Sequence, residues 1–173
     1  MSKVCGMKWS MPVAAAALLA FTACSNDGKV AGGTEAESTI ALQVQLADGS
    51  PAGLSRVRML PNDFLSDGAS GAAWVESDEA GFVEIVAEPG KYALEVRNVR
   101  DSRASGAVLN LTLDTNSARS ETVKLGELST IEGYVFLGEE SPVIRVMGLD
   151  RYVVPDSTGH FVIDSLPVGA FDV

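Results

Sequence analysis

From Thr39 onward, apolar and polar residues alternate in short runs broken by turn-forming residues. Ile40, Leu42, Val44 and Leu46 occupy every second position, with Ala41, Gln43 and Gln45 between them. Successive side chains of a strand point to opposite faces, so this spacing predicts a strand with one buried and one wetter face. Asp48-Gly49-Ser50-Pro51 ends it, since Gly and Pro favour turn geometry over ladder bonding. Further strands are predicted at 57–60, closed by Pro61, and at 72–77, 82–86, 92–97, 109–113 and 122–128. Residues 62–71 and 100–106 are polar and read as loops. The expected fold class is all-β, an antiparallel Greek-key-like β-sandwich.

The pattern repeats along the chain. Trp74, Asp78-Glu-Ala-Gly81-Phe82-Val-Glu-Ile85 and Pro89-Gly90-Lys-Tyr92 recur as Tyr152, Asp156-Ser-Thr-Gly159-His160-Phe161-Val-Ile163 and Pro167-Val-Gly169-Ala-Phe171. Thr39-Ile40 is answered by Thr130-Ile131. In Asp-x-x-Gly, the Asp accepts backbone N–H bonds at the first position of a type I turn and Gly takes the fourth. Pro89-Gly90 and its counterpart around Gly169 read as second tight turns, each followed two residues later by an aromatic that fills the core, Tyr92 or Phe171. Tight turns at these spacings imply hairpins. The chain therefore divides into a complete module at 39–128 and an incomplete one at 129–173. The second copy stops two residues after Phe171. An unfinished sandwich leaves an open edge and an uncovered apolar face. That predicts either a piece of a longer protein, the preferred expectation, or a poorly ordered second module.

These residues carry a resemblance. Gly49-Ser-Pro51 with Val57 and Leu60, then Ser77-Asp78-Glu-Ala-Gly81-Phe82, then Pro89-Gly90-Lys-Tyr92-Ala-Leu94-Glu-Val96, resemble the carboxypeptidase regulatory-like domain. The likeness covers 39–128 and, in part, 130–173. It implies a transthyretin-like, or prealbumin-like, β-sandwich.

The N-terminus reads as an address. Lys3 and Lys8 precede an apolar stretch, Met11 to Phe21, which is too short to span a bilayer as a helix. Phe21-Thr22-Ala23-Cys24 follows and resembles the lipobox of bacterial lipoproteins, with Phe21 where Leu is usual. The resemblance implies a signal peptide at 1–23, cleavage before Cys24, and acylation of its sulfur and new amine. Several acyl chains, at about 0.8 kcal/mol per buried CH₂, hold a protein stably on a membrane. Ser25 after the cysteine, rather than Asp, matches outer-membrane sorting in enterobacteria. Residues 24–38, small and polar, read as a flexible tether.

Charge and chemistry narrow the function. The formal net charge is −10, and loss of Lys3 and Lys8 with the leader takes it to −12. Such a chain repels phosphate backbones, so nucleic acid is not an expected partner. The expected contacts are the membrane, through the lipid, and polysaccharide or another envelope protein. Cys5 and Cys24 are the only cysteines and His160 the only histidine. No disulfide framework, thiolate metal site or triad is expected. His160 reads as a solvent-exposed turn residue. Asp63, Asp67, Asp78 and Glu79 match no Ca²⁺ loop and read as solvated turn acids. Ser55, Ser102 and Ser120 have no base nearby in sequence, and no phosphate-cradling loop is present. Neither a catalytic residue, a metal nor a cofactor is expected. Trp74 is the one candidate for ligand contact, stacking on a sugar ring. Because Tyr152 recurs at its position, packing is the favoured role. The expected function is a lipid-anchored, non-catalytic structural, display or interaction module, with carbohydrate binding as the alternative.

Overall fold

The computed structural model describes residues 37–68, 71–100, 102–138 and 142–170. Cys24, the leader, most of the tether and Phe171 lie outside them. The strands are β1 (Ser38–Gln45), β2 (Arg56–Pro61), β3 (Val75–Glu76), β4 (Phe82–Ala87), β5 (Gly90–Arg100), β6 (Arg103–Leu113), β7 (Ala118–Lys124) and β8 (Gly126–Glu127). They continue as β9 (Ser129–Tyr134), β10 (Ile144–Arg145), β11 (Tyr152–Val153) and β12 (His160–Leu166). Among the described residues there is no helix. The all-β expectation holds.

The first module is a sandwich of two sheets, ordered β4-β1-β7 and β3-β2-β5-β6-β8. Ile40, Leu42, Val44, Val83 and Val123 from one sheet meet Val57, Leu94, Val96, Leu111 and Leu113 from the other. The alternation in β1 is the cause: its even positions are fully buried and its odd positions half-buried. Burying a Val, Leu or Ile side chain contributes about 1.5–3 kcal/mol, which makes this layer the main source of stability.

Three features depart from the sequence pattern. First, β1 pairs antiparallel with β4 but parallel with β7, from Thr39↔Ala118 to Gln45↔Lys124. Second, the expected loop at 100–106 is mostly strand. β5 and β6 form an eleven-residue ribbon from Gly90↔Leu113 to Arg100↔Arg103, so polar residues 103–106 pair across it. Third, the expected strand at 122–128 is split, because β7 joins the first sheet while β8 pairs β6 in the second. The tight turns are also not hairpins. Asp78–Gly81 and Glu88–Pro89 each carry the chain from one sheet to the other.

The second segment copies the first in detail. The pairs Ile40↔Ile85 and Gln43↔Phe82 recur as Ile131↔Ile163 and Tyr134↔His160. The two-residue pair β2–β3 recurs as β10–β11. At one register position the side chains trade volume: Leu42 opposite Val83 becomes Gly133 opposite Phe161. The Phe161 ring lies over Gly133, where an added Cβ would sit 3.0 Å from it. An aromatic filling the space above a strand glycine restores the packing that the glycine removes.

All described residues belong to one packed unit. Val146, Leu149, Ile163 and Leu166 of the second segment cluster with Ala93 of β5 and Val108 of β6. These two residues are on the face of their sheet opposite the first core. β5 is thus covered on both sides, and Ala93 to Val96 are all buried.

Candidate functional site

The outer face of β2 and β5 carries charge at alternate positions: Arg56 and Arg58 on one strand, Glu95 and Arg97 on the other. The register sets Arg58 beside Glu95 and Arg56 directly opposite Arg97. Glu95 is buried, with a side chain 1% exposed. Arg58 donates to its Oε2 from Nε at 3.0 Å and from Nη2 at 2.9 Å. Arg97 Nε donates to Oε1 at 2.6 Å, and Arg151 Nη2 reaches the same oxygen at 3.5 Å. Asp150 accepts from Arg58 Nη1 at 3.2 Å and from the Ser66 hydroxyl. Three guanidinium groups and two carboxylates therefore form a seam between the first sandwich and the second segment.

Burial explains the pairing. A desolvated carboxylate is costly unless its lone pairs are filled, and here both oxygens are. Asp150 has its pKa lowered, first by the Ser66 hydroxyl and then by Arg58, against opposing burial. Arg151 is shifted down by burial and by the neighbouring Arg97, and among the described residues its Nε has no hydrogen-bond partner.

Two further contacts fasten the segments. A register shift between Ile163 and Leu166, with Ser165 at φ 54°, brings the Ser165 carbonyl to Arg97 Nη2 at 2.6 Å. Beyond it, Val108 N donates to Val168 O at 2.6 Å and Asn110 Nδ2 to Ala170 O at 2.8 Å. Gly169 permits this approach, since a Cβ there would fall 2.6 Å from the Val108 carbonyl.

Trp74 is at the rim of the seam and is half-buried rather than part of the core. Its ring packs against charge: the Arg58 and Arg56 guanidinium carbons lie 4.6 and 4.9 Å from its centre. Trp74 lines a shallow groove of about 230 Å³ with Leu54, Arg56, Arg97, Asn98 and Val99. Its repeat counterpart Tyr152 is half exposed and lines a second groove of about 380 Å³ beside Arg97 and Arg151. Stacking on arginine, not core filling, is the role the fold gives Trp74.

No protein-family model matches the chain. No curated protein matches it. Among solved structures it is similar to a streptococcal ancillary pilin, at 11% identity with a TM-score of 0.41 over 80% of this chain. The match spans 53% of the pilin chain, about half its length.

The turn residues picked out by the repeat perform matching tasks. Gly81 N donates to Asp78 O and Phe82 N to Asp78 Oδ1, at 3.0 and 2.7 Å. Gly159 N donates to Asp156 O and His160 N to Asp156 Oδ1, at 3.0 and 3.1 Å. The Thr158 hydroxyl and N–H hold the Asp156 pKa below its ordinary value. Gly81 at φ 79° and Gly159 at φ 83° then accept Val44 N and Val135 N on their carbonyls. Pro89 is in the crossover and Gly90 opens β5. Tyr92 is half-buried against the core, with its hydroxyl donating to Glu88 O at 3.0 Å. His160 is not a free turn histidine: its Nε2 lies 2.7 Å from Glu132 Oε1 and its ring 5.0 Å from that of Tyr134. Among the described residues, no three His, Cys, Asp or Glu side chains are grouped to hold a metal ion.

Glu95, Arg58, Asp150 and Arg151 escaped the sequence reading. One signal was available. Arg56 and Arg58 alternate on one strand and Glu95 and Arg97 on another, so complementary charge shares a face.

Proposed function

We propose that the chain is a lipid-anchored protein of the bacterial cell envelope, in the outer membrane. Its repeated carboxypeptidase regulatory-like modules act as non-catalytic structural, display or interaction units. One observation carries this reading: the second repeat is seated on the first through the Glu95 seam. The conspicuous charged side chains are thereby engaged in joining modules, as a stiff spacer requires. The lipobox-like Cys24 supports attachment at one end.

The experiment is metabolic labelling with an alkynyl fatty acid in a bacterial host, followed by envelope fractionation. The wild-type chain should take up label and sediment with the outer membrane. Cys24→Ala should take up none and appear in the soluble fraction. Equal labelling of both chains would refute the anchor, and inner-membrane recovery would refute the location.

A second reading, carbohydrate binding, is favoured by the groove that puts Trp74 beside Arg56, Arg97 and Asn98. An aromatic ring flanked by donors suits a sugar, most of all an acidic one. Removal of the leader leaves Trp74 as the single tryptophan, so its fluorescence reports directly. A saturable change on titration with uronic-acid polysaccharide, lost in Trp74→Ala, would support this reading. A flat titration would end it.

A further inference from the structure

The groove that holds Trp74 and the groove that holds Tyr152 meet at Arg97, which lines both. The two aromatics occupy the same position of the two repeats. Between them the seam is not balanced in charge. Arg58, Arg97 and Arg151 bring three positive charges to two carboxylates, Glu95 and Asp150. Arg97 takes Glu95 Oε1 at 2.6 Å, which leaves Arg151 a 3.5 Å contact to the same oxygen. A guanidinium has five N–H donors. Arg151 uses one of them on that long contact, and its buried Nε has no partner among the described residues. Burial and the nearby Arg97 both weigh against its charge. The group is not sealed off, since its side chain is 28% exposed and lines the Tyr152 groove. Arg56 adds to the excess. It stands directly opposite Arg97, where like charges repel, and makes no ion pair among the described residues. The Tyr152 groove is on the side of β11 and β12. These strands correspond to β3 and β4, which are outermost in the first sandwich. A module of this kind adds no further strand on that side.

We propose that Arg97 and Arg151 bind the carboxylate of an acidic sugar whose ring packs on Tyr152. This rests on the carbohydrate-binding reading and gives it a second subsite. One chain of uronic-acid units would then cross Arg97 and occupy both grooves. The single excess positive charge of the seam is matched by a single carboxylate. Planar guanidinium groups match that anion in shape as well as in charge. The half-exposed Tyr152 offers an apolar ring face for the sugar. Asp164 lines the same groove and pairs with neither arginine among the described residues. Its negative charge disfavours a doubly charged phosphate there. A uronic-acid chain carries one charge on every ring, so Arg56 is placed to meet the next carboxylate beside Trp74.

The test is calorimetric titration of the full chain with trigalacturonate. Binding should be saturable. The fully methyl-esterified trimer, the same rings without charge, should bind at least tenfold more weakly. Acetate, the charge without a ring, should also bind at least tenfold more weakly. Arg151→Gln and Tyr152→Ala should each weaken trigalacturonate at least tenfold. The wild-type chain gives a readout free of any folding defect. Its Arg151 Nε–H resonance, assigned by its loss in Arg151→Gln, should shift saturably with trigalacturonate. Equal binding of the ester or of acetate would overturn the proposal, as would an unmoved Arg151 resonance. Loss of binding in Trp74→Ala with wild-type affinity in Arg151→Gln and Tyr152→Ala would keep the carbohydrate reading and remove this subsite. Absence of binding by both trimers would remove the two together.

Discussion

Replacement of Glu95 tests the seam most directly. Its carboxylate is buried and takes close bonds from Arg58 at 2.9 and 3.0 Å and from Arg97 at 2.6 Å. Arg58 is 6% exposed and keeps only Asp150 as a second anion. Removing one partner of a buried pair leaves an uncompensated charge and costs about 3–5 kcal/mol. Glu95→Ala should therefore lose about 4 kcal/mol. Glu95→Gln should lose somewhat less, about 3 kcal/mol, because the amide keeps one acceptor but turns N–H₂ toward guanidinium donors. With a urea slope of about 2 kcal/mol per molar, the alanine variant should unfold about 2 M earlier. Equilibrium unfolding of the full chain, followed by far-UV circular dichroism and tryptophan emission, reads this shift. Arg58→Met with Glu95→Leu removes the stranded Arg58 guanidinium but leaves Asp150, Arg97 and Arg151 without these partners, so it should recover only part of the loss. A cost below about 1 kcal/mol for Glu95→Ala would refute the reasoning, for it would mean that water already reaches the carboxylate.

Other outcomes follow from single positions. Gly81→Ala should destabilise by about 2–4 kcal/mol, combining a left-handed backbone with a Cβ 2.5 Å from Val44 O. Gly49→Ala, equally left-handed but with nothing within 4 Å, should cost only about 1–2 kcal/mol in the same urea assay. Gly133→Leu should clash with Phe161, and adding Phe161→Val should relieve it. A double-mutant cycle should show at least about 1 kcal/mol of coupling. The Asp150 carboxyl is held below its ordinary 3.8 by Ser66 and Arg58. A group depressed on folding contributes fully above its unfolded pKa and loses that contribution as pH falls through the folded one. The urea midpoint should thus hold steady from about pH 7 to 5 and fall below about pH 4, with a shallower acid fall in Asp150→Asn.

What was legible in the sequence was local. The alternation of Ile40, Leu42 and Val44 gave a strand and its buried face, because side-chain direction follows position. The Asp78–Gly81 and Asp156–Gly159 motifs gave two turns with the same bonds, because Asp and Gly act within four residues. Partnership was not legible. A period of two names a face but not the neighbour across it. The parallel match of β1 to β7 therefore stayed hidden, as did the sheet change at Glu88–Pro89. Residues 103–106 looked like loop because Ser105 and Gly106 are poor strand formers alone, yet the ribbon with β5 holds them. Glu95 gave no signal because its neighbours Leu94 and Val96 already supplied one core and its own face carries Lys91 and Arg97. Only a second layer, arriving from Val146 to Leu166, makes its position dry.

The parallel closure of β1 on β7 also has a mechanical consequence. The chain enters the first module at the start of β1 and leaves it just past the end of β7, and the two strands run the same way side by side. Tension between those points slides one strand lengthwise against the other. Every rung of the pairing from Thr39 to Gln45 then shares the strain at once, instead of peeling open one by one. Stretched from its ends in an optical trap, this module should yield in one abrupt, high-force rupture.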